Sequence, residues 1–444
     1  MVTTGVSGDA GFTAKGRATR ERILRSAAQV IVDEGLSALS LDRVRQVASV
    51  SGSQLSHYFA DKQALVRAVL ERQMGVVLDF HRQPALGSLD TFDDFERWLD
   101  LGIRQLRSIG YTGTPTYHAL AGQLGKSDAE TRRTLADGYQ EWISMLEGSF
   151  ERMRERGVLV ESAHPRDLAM VVVAGHQGAG MLTFTYRQEW PLSDTLRFVV
   201  NHLRLFAADP SERVPRPPRP IDARRPRASV VDDADRRFTP KGLATRARII
   251  NGAADLMFRQ GVSGTSLDDV RRAVGVSGSQ LTHYFTDKRD LIRHVVAARA
   301  AEVTAQPELV GLDRIDALRA WAKAVAGHVE TVYLRGGCAY GSLTGELLEQ
   351  RDVLDDLAAG YDRWLKLFRD GIDAMCGNGE LGEGVEPRHL AVALLAAHQG
   401  GAMLAFVTGT REPFDAVVDA AVGYVASFAA GYAHTAHPGT GPWR

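Results

Sequence analysis

Apolar residues recur along this chain at the three- and four-residue spacing of helices, and almost nowhere at the alternation of strands. From Thr19 to Glu34, Ile23, Ala27, Val30 and Ile31 form one stripe that stops at Gly35. Ser40 is placed to cap a second helix with Leu41, Val44, Val47 and Ala48 facing inward. Ser51 opens a third, and Asp61 caps a fourth that runs through Leu65, Val69 and Leu70. Longer amphipathic stretches follow: Thr91 to Leu106, Thr131 to Arg156, Pro165 to Tyr186 and Ser193 to Phe206. The pattern predicts an all-α fold. Leu390 to Gly409 carries no formal charge and approaches the length of a bilayer span. His398-Gln399-Gly400 breaks it at the centre, as His176-Gln177-Gly178 breaks Leu168 to Tyr186, and both stretches are therefore expected to be buried helices.

The pattern occurs twice. Val50 to Lys62 reads VSGSQLSHYFADK and Val276 to Lys288 reads VSGSQLTHYFTDK, differing only at Ser56/Thr282 and Ala60/Thr286. Aligning Phe12 with Phe238 gives an offset of 238 − 12 = 226 that holds to Leu70/Val296. Further on the offset falls: Gly138-Tyr139 and Trp142 pair with Gly360-Tyr361 and Trp364, and His176-Gln177-Gly178 with His398-Gln399-Gly400 (398 − 176 = 222). The chain is a tandem duplication whose period is far too long for a solenoid. It divides into a head at 12–70, a body at 71–206, a linker at 207–237, a second head at 238–296 and a second body at 297–433. The linker contains Pro215 to Pro220 (PRPPRP) and then Arg224, Arg225 and Arg227, a proline-rich basic run expected to be semi-rigid.

Composition narrows the class. The net charge of −1 supplies no global field for nucleic acid, so any such binding must come from local basic clusters. Two cysteines, Cys338 and Cys376, make neither a disulfide framework nor a metal pattern and suit a reducing cytoplasm. The N-terminus lacks the basic-then-apolar order of a signal peptide. There is no nucleophile elbow, metal-spaced set or phosphate loop, so no catalytic residue, metal or cofactor is expected and the chain is read as a non-enzyme.

Two short helices joined by a tight turn, the second starting at Ser51, form a helix-turn-helix, whose second helix lies in the DNA major groove. Ser53, Gln54 and Ser56 offer short or bidentate polar groups for base edges, as do Ser279, Gln280 and Thr282. His57, Tyr58, His283 and Tyr284 can reach phosphates through their polar tips. Lys62 and Lys288 sit in the first turn of the next helix, where a cation opposes the helix dipole and is better explained by a phosphate. Arg20, within Lys15, Arg17, Arg20, Arg22 and Arg25, and Arg246, with Lys241 and Arg248, are placed to follow the backbone. Leu55 and Phe59 are expected to be core, Tyr58 could be packing, and the basic residues could be a solvated face.

Ser40-Leu41-Asp42-Arg43-Val44, Val50-Ser51 and Leu55-x-His57-Tyr58-Phe59-x-x-Lys62-x-x-Leu65 together resemble the DNA-binding domain of TetR-family bacterial regulators. The resemblance covers about sixty residues of each half. It implies two TetR-like units, each a three-helix head, a connecting helix and a helical body that binds a small effector and dimerises. It further implies a double-stranded DNA operator, usually repression, and release by a small molecule. Gln54, Ser56, His57, Tyr58 and Lys62, with Gln280, Thr282, His283, Tyr284 and Lys288, fall at DNA-contacting positions. Gly52 and Gly278 stand where the family commonly has a basic residue, and Ser56 and Thr282 where it has tyrosine.

The bodies match more loosely. Gly337 to Leu347 resembles a helix that lines an effector cavity in one subgroup, and Thr114 to Leu124 is its counterpart, with Glu346 replaced by Gln123. The candidate pocket residues are Tyr117, His118, Trp142 and His176 in the first body and Cys338, Tyr340, Trp364 and His398 in the second. A satisfied core histidine is the competing reading for His176 and His398, and core packing for the tryptophans. The resemblance implies that the penultimate and last helices of each half form a four-helix bundle. The expected function is a ligand-responsive repressor acting as a covalent pseudo-dimer on a near-palindromic operator. The alternatives are a small-molecule or protein-binding module with vestigial DNA contacts, and a self-associated two-chain assembly with four heads.

Overall fold

The computed structural model describes residues 12–113, 116–220 and 238–431. The fold is all-α, in two tandem units. The first unit runs α1 (Ala14–Glu34), α2 (Leu41–Ala48), α3 (Gly52–Tyr58), α4 (Lys62–Arg82), α5 (Phe92–Ser108), α6 (Tyr117–Leu124), α7 (Ala129–Glu155), α8 (Pro165–Tyr186) and α9 (Trp190–Arg204). The second runs α10 (Pro240–Gln260), α11 (Leu267–Val274), α12 (Gly278–Tyr284), α13 (Lys288–Thr304), α14 (Ile315–Gly327), a single turn α15 (Leu334–Gly336), α16 (Ala339–Leu347), α17 (Leu354–Gly377), α18 (Pro387–Thr408) and α19 (Glu412–Ala426). The extended pairing among the described residues is two isolated bridges, Leu159 with Ala207 and Leu381 with Ala429.

The helix starts are local chemistry. Thr13, Ser40, Ser51, Asp61, Thr91, Thr116 and Asp128 each accept a backbone N–H of the helix that follows. Their counterparts Thr239, Ser266, Ser277 and Asp287 do the same in the second head. Gly35 ends α1 at φ 85°, a conformation that glycine adopts without strain. Three expectations are corrected. The first helix begins at Ala14 rather than Thr19, because Thr13 caps it. The last helix of the first body begins at Trp190 rather than Ser193, with Pro191 in its first turn. Val47 is 40% exposed, because an eight-residue helix presents too narrow a face to bury every apolar position.

The linker also differs from expectation over its first part. Residues 207–220 do not stand away from the body. The Arg213 guanidinium is buried and donates to the Ala207 and Ala208 carbonyls. Asn201 holds the backbone of Arg216 from both sides, at 2.8 and 3.0 Å. Arg216 pairs with Glu96 at 3.2 Å, and Arg219 with Asp100. Arginine–carboxylate pairs thus strap the Pro-Arg run along α5. Arg224, Arg225 and Arg227 lie outside the described residues.

The two units meet through α8 and α18. Both are long and apolar enough by composition to cross a membrane, yet 94% and 100% of their most apolar windows are buried against protein. Their contact is reciprocal. A Cβ built on Gly178 would lie 2.0 Å from the Ala396 carbonyl oxygen, and one on Gly400 would lie 1.9 Å from that of Ala174. These partners are related by one offset (400 − 178 = 396 − 174 = 222). Gly122 and Gly345 face each other likewise: a Cβ on either would come within 2.8–2.9 Å of the other's Cα. A contact in which each half presents the same patch to the other is the signature of two-fold packing. α9 and α19 complete a four-helix bundle around the glycine seam. Asn201 donates to the Tyr424 hydroxyl at 2.8 Å, Tyr186 donates to Asp362 at 2.9 Å, and Arg388 pairs with the fully buried Asp194 at 3.1 Å across it.

Two outcomes follow from this seam. Gly178→Val and Gly400→Val force backbones apart, and each should lower stability by about 3 kcal/mol or more, seen as a depressed melting temperature and increased proteolysis between the units. Burial raises the Asp194 carboxyl to about 7, even though Arg388 lowers it. The unfolded chain loses that proton near its ordinary value of 3.8, so stability from this group is present below about pH 4 and is lost as pH rises toward 7. Asp194→Asn should therefore melt progressively higher than the parent from pH 4.5 to pH 7.5 by a few kcal/mol, and level off above that.

Candidate nucleic-acid interface and effector core

Each head presents its second short helix to solvent. In α3, Leu55 is buried, whereas Ser53, Gln54, Ser56 and His57 are exposed and Tyr58 is half-buried. In α12, Leu281 is buried, and Ser279, Gln280, Thr282 and His283 are exposed with Tyr284 half-buried. Leu55 and Phe59 lock α3 into the head, as Leu281 and Phe285 lock α12. Phe12 packs on His57 and Tyr58 at 5.7 and 5.0 Å between ring centroids, and Phe238 repeats this on His283 and Tyr284 at 5.8 and 5.2 Å. The start of α1 thus fixes the end of α3. A Cβ on Gly52 or Gly278 meets nothing within 4 Å, so the first turn of each reading helix is open.

The two glutamines expected to meet base edges are engaged within their own helices. Gln54 Oε1 accepts the Ser51 backbone N–H at 3.0 Å while Ser51 Oγ accepts that of Gln54 at 3.1 Å, a closed capping box that Ser277 and Gln280 reproduce. The amide oxygen is thus engaged, and Nε2 remains to donate. A two-pronged contact of the glutamine amide with a base edge would require opening the cap. Ser53 Oγ lies 3.0 Å from Ser51 Oγ, and Ser56 Oγ donates to the Ser53 carbonyl, so both serines are turned partly inward.

The basic residues divide. Lys15, Arg17, Arg22, Arg25, Lys241 and Arg248 are exposed. Arg246 is buried and stacks on Phe285 at 5.6 Å and Phe238 at 6.0 Å; Arg20 lies half-buried over Phe59 at 5.7 Å. An aromatic cage, which the sequence pattern did not reveal, holds Arg246 inside the head rather than on its DNA face. Lys62 is exposed, but Lys288 donates to the Val262 carbonyl at 2.7 Å and is lowered by burial. Two heads whose reading stretches differ at only two positions, Ser56/Thr282 and Ala60/Thr286, therefore offer unequal cations.

The cause lies at the junction of heads and bodies. Leu36 N–H donates to Glu349, which comes from the second body, at 3.0 Å. The matching Val262 N–H donates to Glu346 of its own body. Lys126 reaches from the first body to Glu346 at 3.1 Å and to the Met257 carbonyl at 3.3 Å, over the Phe258 ring. The corresponding positions are 123/346 and 126/349 (346 − 123 = 349 − 126 = 223), so one copy has Gln and Lys where the other has Glu and Glu. Glu346, on the helix that resembles a cavity-lining one, faces the head instead, where the Val262 backbone N–H needs an acceptor.

Inside the first body, His118, Trp142 and His176 come together with two residues the sequence did not single out, His81 and Trp98. His81 Nδ1 lies 2.7 Å from the Val77 carbonyl, and its Nε2 accepts both the Trp98 indole N–H at 3.0 Å and that of Trp142 at 3.3 Å. His118 Nε2 is 2.8 Å from His176 Nδ1. Burial pushes His81 down to about 4 and His118 to about 3 and lowers His176, so the three are neutral at pH 7. Tyr117 stands apart, donating to the Leu135 carbonyl at 2.8 Å.

In the second body, Trp364 and His398 meet Trp321 and Tyr333, also unforeseen. The Tyr333 hydroxyl lies 2.9 Å from His398 Nε2, and a π-helical turn at Val329–Tyr333 delivers it. Tyr340 mirrors Tyr117, donating to the Leu357 carbonyl at 2.7 Å. Cys338 is buried 3.8 Å from Gln399 Nε2, its thiol raised by burial. His398 is buried and hydrogen-bonded, whereas His176 is hydrogen-bonded but only half-buried. The signal for Trp98 and Trp321 was their common offset (321 − 98 = 223); His81 has no partner in the second half, and its one signal was the fall in that offset.

Residues 23–69 and 249–295 both match the profile described as bacterial regulatory proteins of the tetR family. Residues 311–421 match a tetracyclin repressor-like C-terminal domain, and residues 92–197 a C-terminal domain described as transcriptional regulator LmrA/YxaF-like. The chain belongs to the TetR family. It carries two tandem units of that family and is a helix-turn-helix DNA-binding regulator. It is 24% identical over 187 residues, 41% of this chain and 92% of the relative, to the HTH-type transcriptional repressor NemR of Escherichia coli K12. Among solved structures it is similar to the reduced form of E. coli NemR (19% identity, 42% of this chain, 97% of that chain, TM-score 0.38). It is also similar to regulatory protein TetR of Rhodobacter sphaeroides (20% identity, 40% and 98%, TM-score 0.37).

Two measurements test the interface. Lys62→Ala should weaken DNA binding with the melting temperature unchanged, whereas Lys288→Ala should lower the melting temperature, because it removes a bond inside the fold. Arg246→Ala should cost about 1–3 kcal/mol of stability through lost stacking and packing, read by denaturant titration before any DNA is added.

Proposed function

We propose that this regulator is a ligand-responsive repressor that works as one chain, its two units forming a covalent pseudo-dimer on a near-palindromic operator. The observation that carries this reading is the reciprocal glycine seam between α8 and α18, coupled to two exposed reading helices of nearly identical sequence. A seam that each half presents to the other leaves no copy of that patch for a second chain. Reading helices that differ only at Ser56/Thr282 call for matched half-sites, about 34–36 Å apart for one turn of DNA. Linkage replaces a bimolecular step by an intramolecular one, so pairing does not depend on expression level.

Within this reading the heads are 12–70 and 238–296 and the bodies 71–206 and 297–433. Ser53, Gln54, Ser56, His57 and Tyr58, with Ser279, Gln280, Thr282, His283 and Tyr284, face DNA. Gln54 and Gln280 act through their free amide nitrogens. Lys62 contacts phosphate, and Lys288 does so only after leaving Val262. The aromatic cores of the bodies are where a small effector acts, and the cytoplasm is where the protein works.

Light scattering of the free chain should give a mass near 48.4 kDa, and titration of its own upstream DNA should give one chain per palindromic site. A free mass of two chains would replace the pseudo-dimer by the four-headed assembly. Gln54→Ala and Gln280→Ala should each cost about 1–3 kcal/mol, measured as loss of affinity for an opposite half-site on operators with one half scrambled. Retention of no DNA at low salt, where phosphate contacts are strongest, would leave the vestigial-binding module as the better reading.

A further inference from the structure

The two bodies share a framework of two tryptophans and a histidine, but not what sits against it. Trp98, Trp142 and His176 correspond to Trp321, Trp364 and His398, and the tryptophan–histidine centroid distances are similar: 5.8 and 5.5 Å in the first body, 6.1 and 5.0 Å in the second. In the first body both indole N–H groups converge on one acceptor, His81 Nε2. In the second body both, on Trp321 and Trp364, are buried with no partner.

The reason is visible in the chain. α4 and α13 begin 288 − 62 = 226 residues apart, but the Gln-Pro pairs that follow them, Gln83-Pro84 and Gln306-Pro307, are 306 − 83 = 223 apart. The second half therefore lacks three residues, nearly one helical turn, at the end of α13, which stops at Thr304. That turn is the one that carries His81 in the first half. A second ring is gone as well, since His118 corresponds to Gly341 (341 − 118 = 223). Gln399 has turned toward Gly341, where an added Cβ would lie 2.1 Å from Oε1, and that oxygen is also without a partner. Its counterpart Gln177 Oε1 accepts the Tyr139 hydroxyl at 2.6 Å. Buried donors and acceptors left unmade each cost about 1–3 kcal/mol, so three in one core ask for an occupant.

We propose that the second body, and not the first, holds a small-molecule site against Trp321, Trp364 and His398. Its ligand is a small planar ring that presents a hydrogen-bond acceptor where the first body presents the imidazole of His81, and a donor toward Gln399. His81 is in effect a built-in ligand that keeps the first body permanently filled. The inference rests on reading the bodies as effector-binding, and it adds which one responds and to what chemistry.

Imidazole itself is the probe, at pH 8 where it is neutral. In the full chain labelled with ¹⁵N at its six tryptophans, the Trp321 and Trp364 indole resonances, assigned from Trp→Phe variants, should shift saturably with imidazole while those of Trp98 and Trp142 stay fixed. Benzene, a ring with no acceptor, should leave all four in place. His81→Ala should make Trp98 and Trp142 respond as well, which also proves that the probe can reach such a core. If they respond in His81→Ala while Trp321 and Trp364 remain silent, the second core is closed by packing or water and the proposal fails. An equal response to benzene overturns the acceptor, and an equal response of all four tryptophans in the parent overturns the asymmetry. Anisotropy with operator DNA is read separately. Indole shifts without a change in DNA affinity uphold the site and overturn the effector role.

Discussion

Everything in this molecule hangs on two helices approaching closely enough for a backbone carbonyl to occupy the place of a side chain. Gly178 lies against Ala396 and Gly400 against Ala174, and neither position has room for one carbon more. Dispersion between closely packed backbones is weak per atom and large in sum, and it vanishes quickly with separation. The seam also sets a dry environment. Asp194, with its carboxyl raised by burial, lies in it opposite Arg388. From the bundle outward, each further layer inherits its position: α6 against α16, then the junction carboxylates, then the heads.

That chain of dependence gives the heads unequal footing. Glu349 crosses from the second body to cap the turn after α1, while Glu346 caps the turn after α10 from within its own unit and is neutralised by Lys126 from the other. A buried ion pair of this kind is weak as a stabiliser but costly to break, because the partner left behind is an uncompensated charge. At this junction the first head is tied by one carboxylate to the opposite body; the second is tied by a carboxylate of its own body and by the Lys126 ammonium of the other, while Lys288 bonds within the head. Any motion of α16 relative to α6 is therefore felt differently at the two reading helices.

Much of this was legible in the sequence, and the boundary of legibility is physical. Caps, turns and amphipathic stripes are local, so Thr13 aside, the start of nearly every head helix could be read from one residue and the periodicity after it. The duplication exposed the second helix of each head, because its sequence repeats almost unchanged while its flanks drift. What could not be read were relations between distant residues. The capping box of Ser51 and Gln54 is local and follows the Ser-x-x-Gln signature, but nothing local says that Phe238 and Phe285 enclose Arg246, or that Glu346 turns away from the aromatic core toward Val262. His81 was invisible for a different reason: a residue present in one copy only leaves no repeat to notice, and the falling offset was its only trace.

The junction of Lys126 with Glu346 also bears on how such a protein arises. In an association of two identical chains every substitution appears twice, once on each side of the axis, so a lysine facing a glutamate from a corresponding helix would be matched by a second copy of both. Here positions 126 and 349 correspond, yet one is lysine and the other glutamate. Joining the copies in one reading frame made left and right separately heritable. Selection could then specialise one side without dragging the other along.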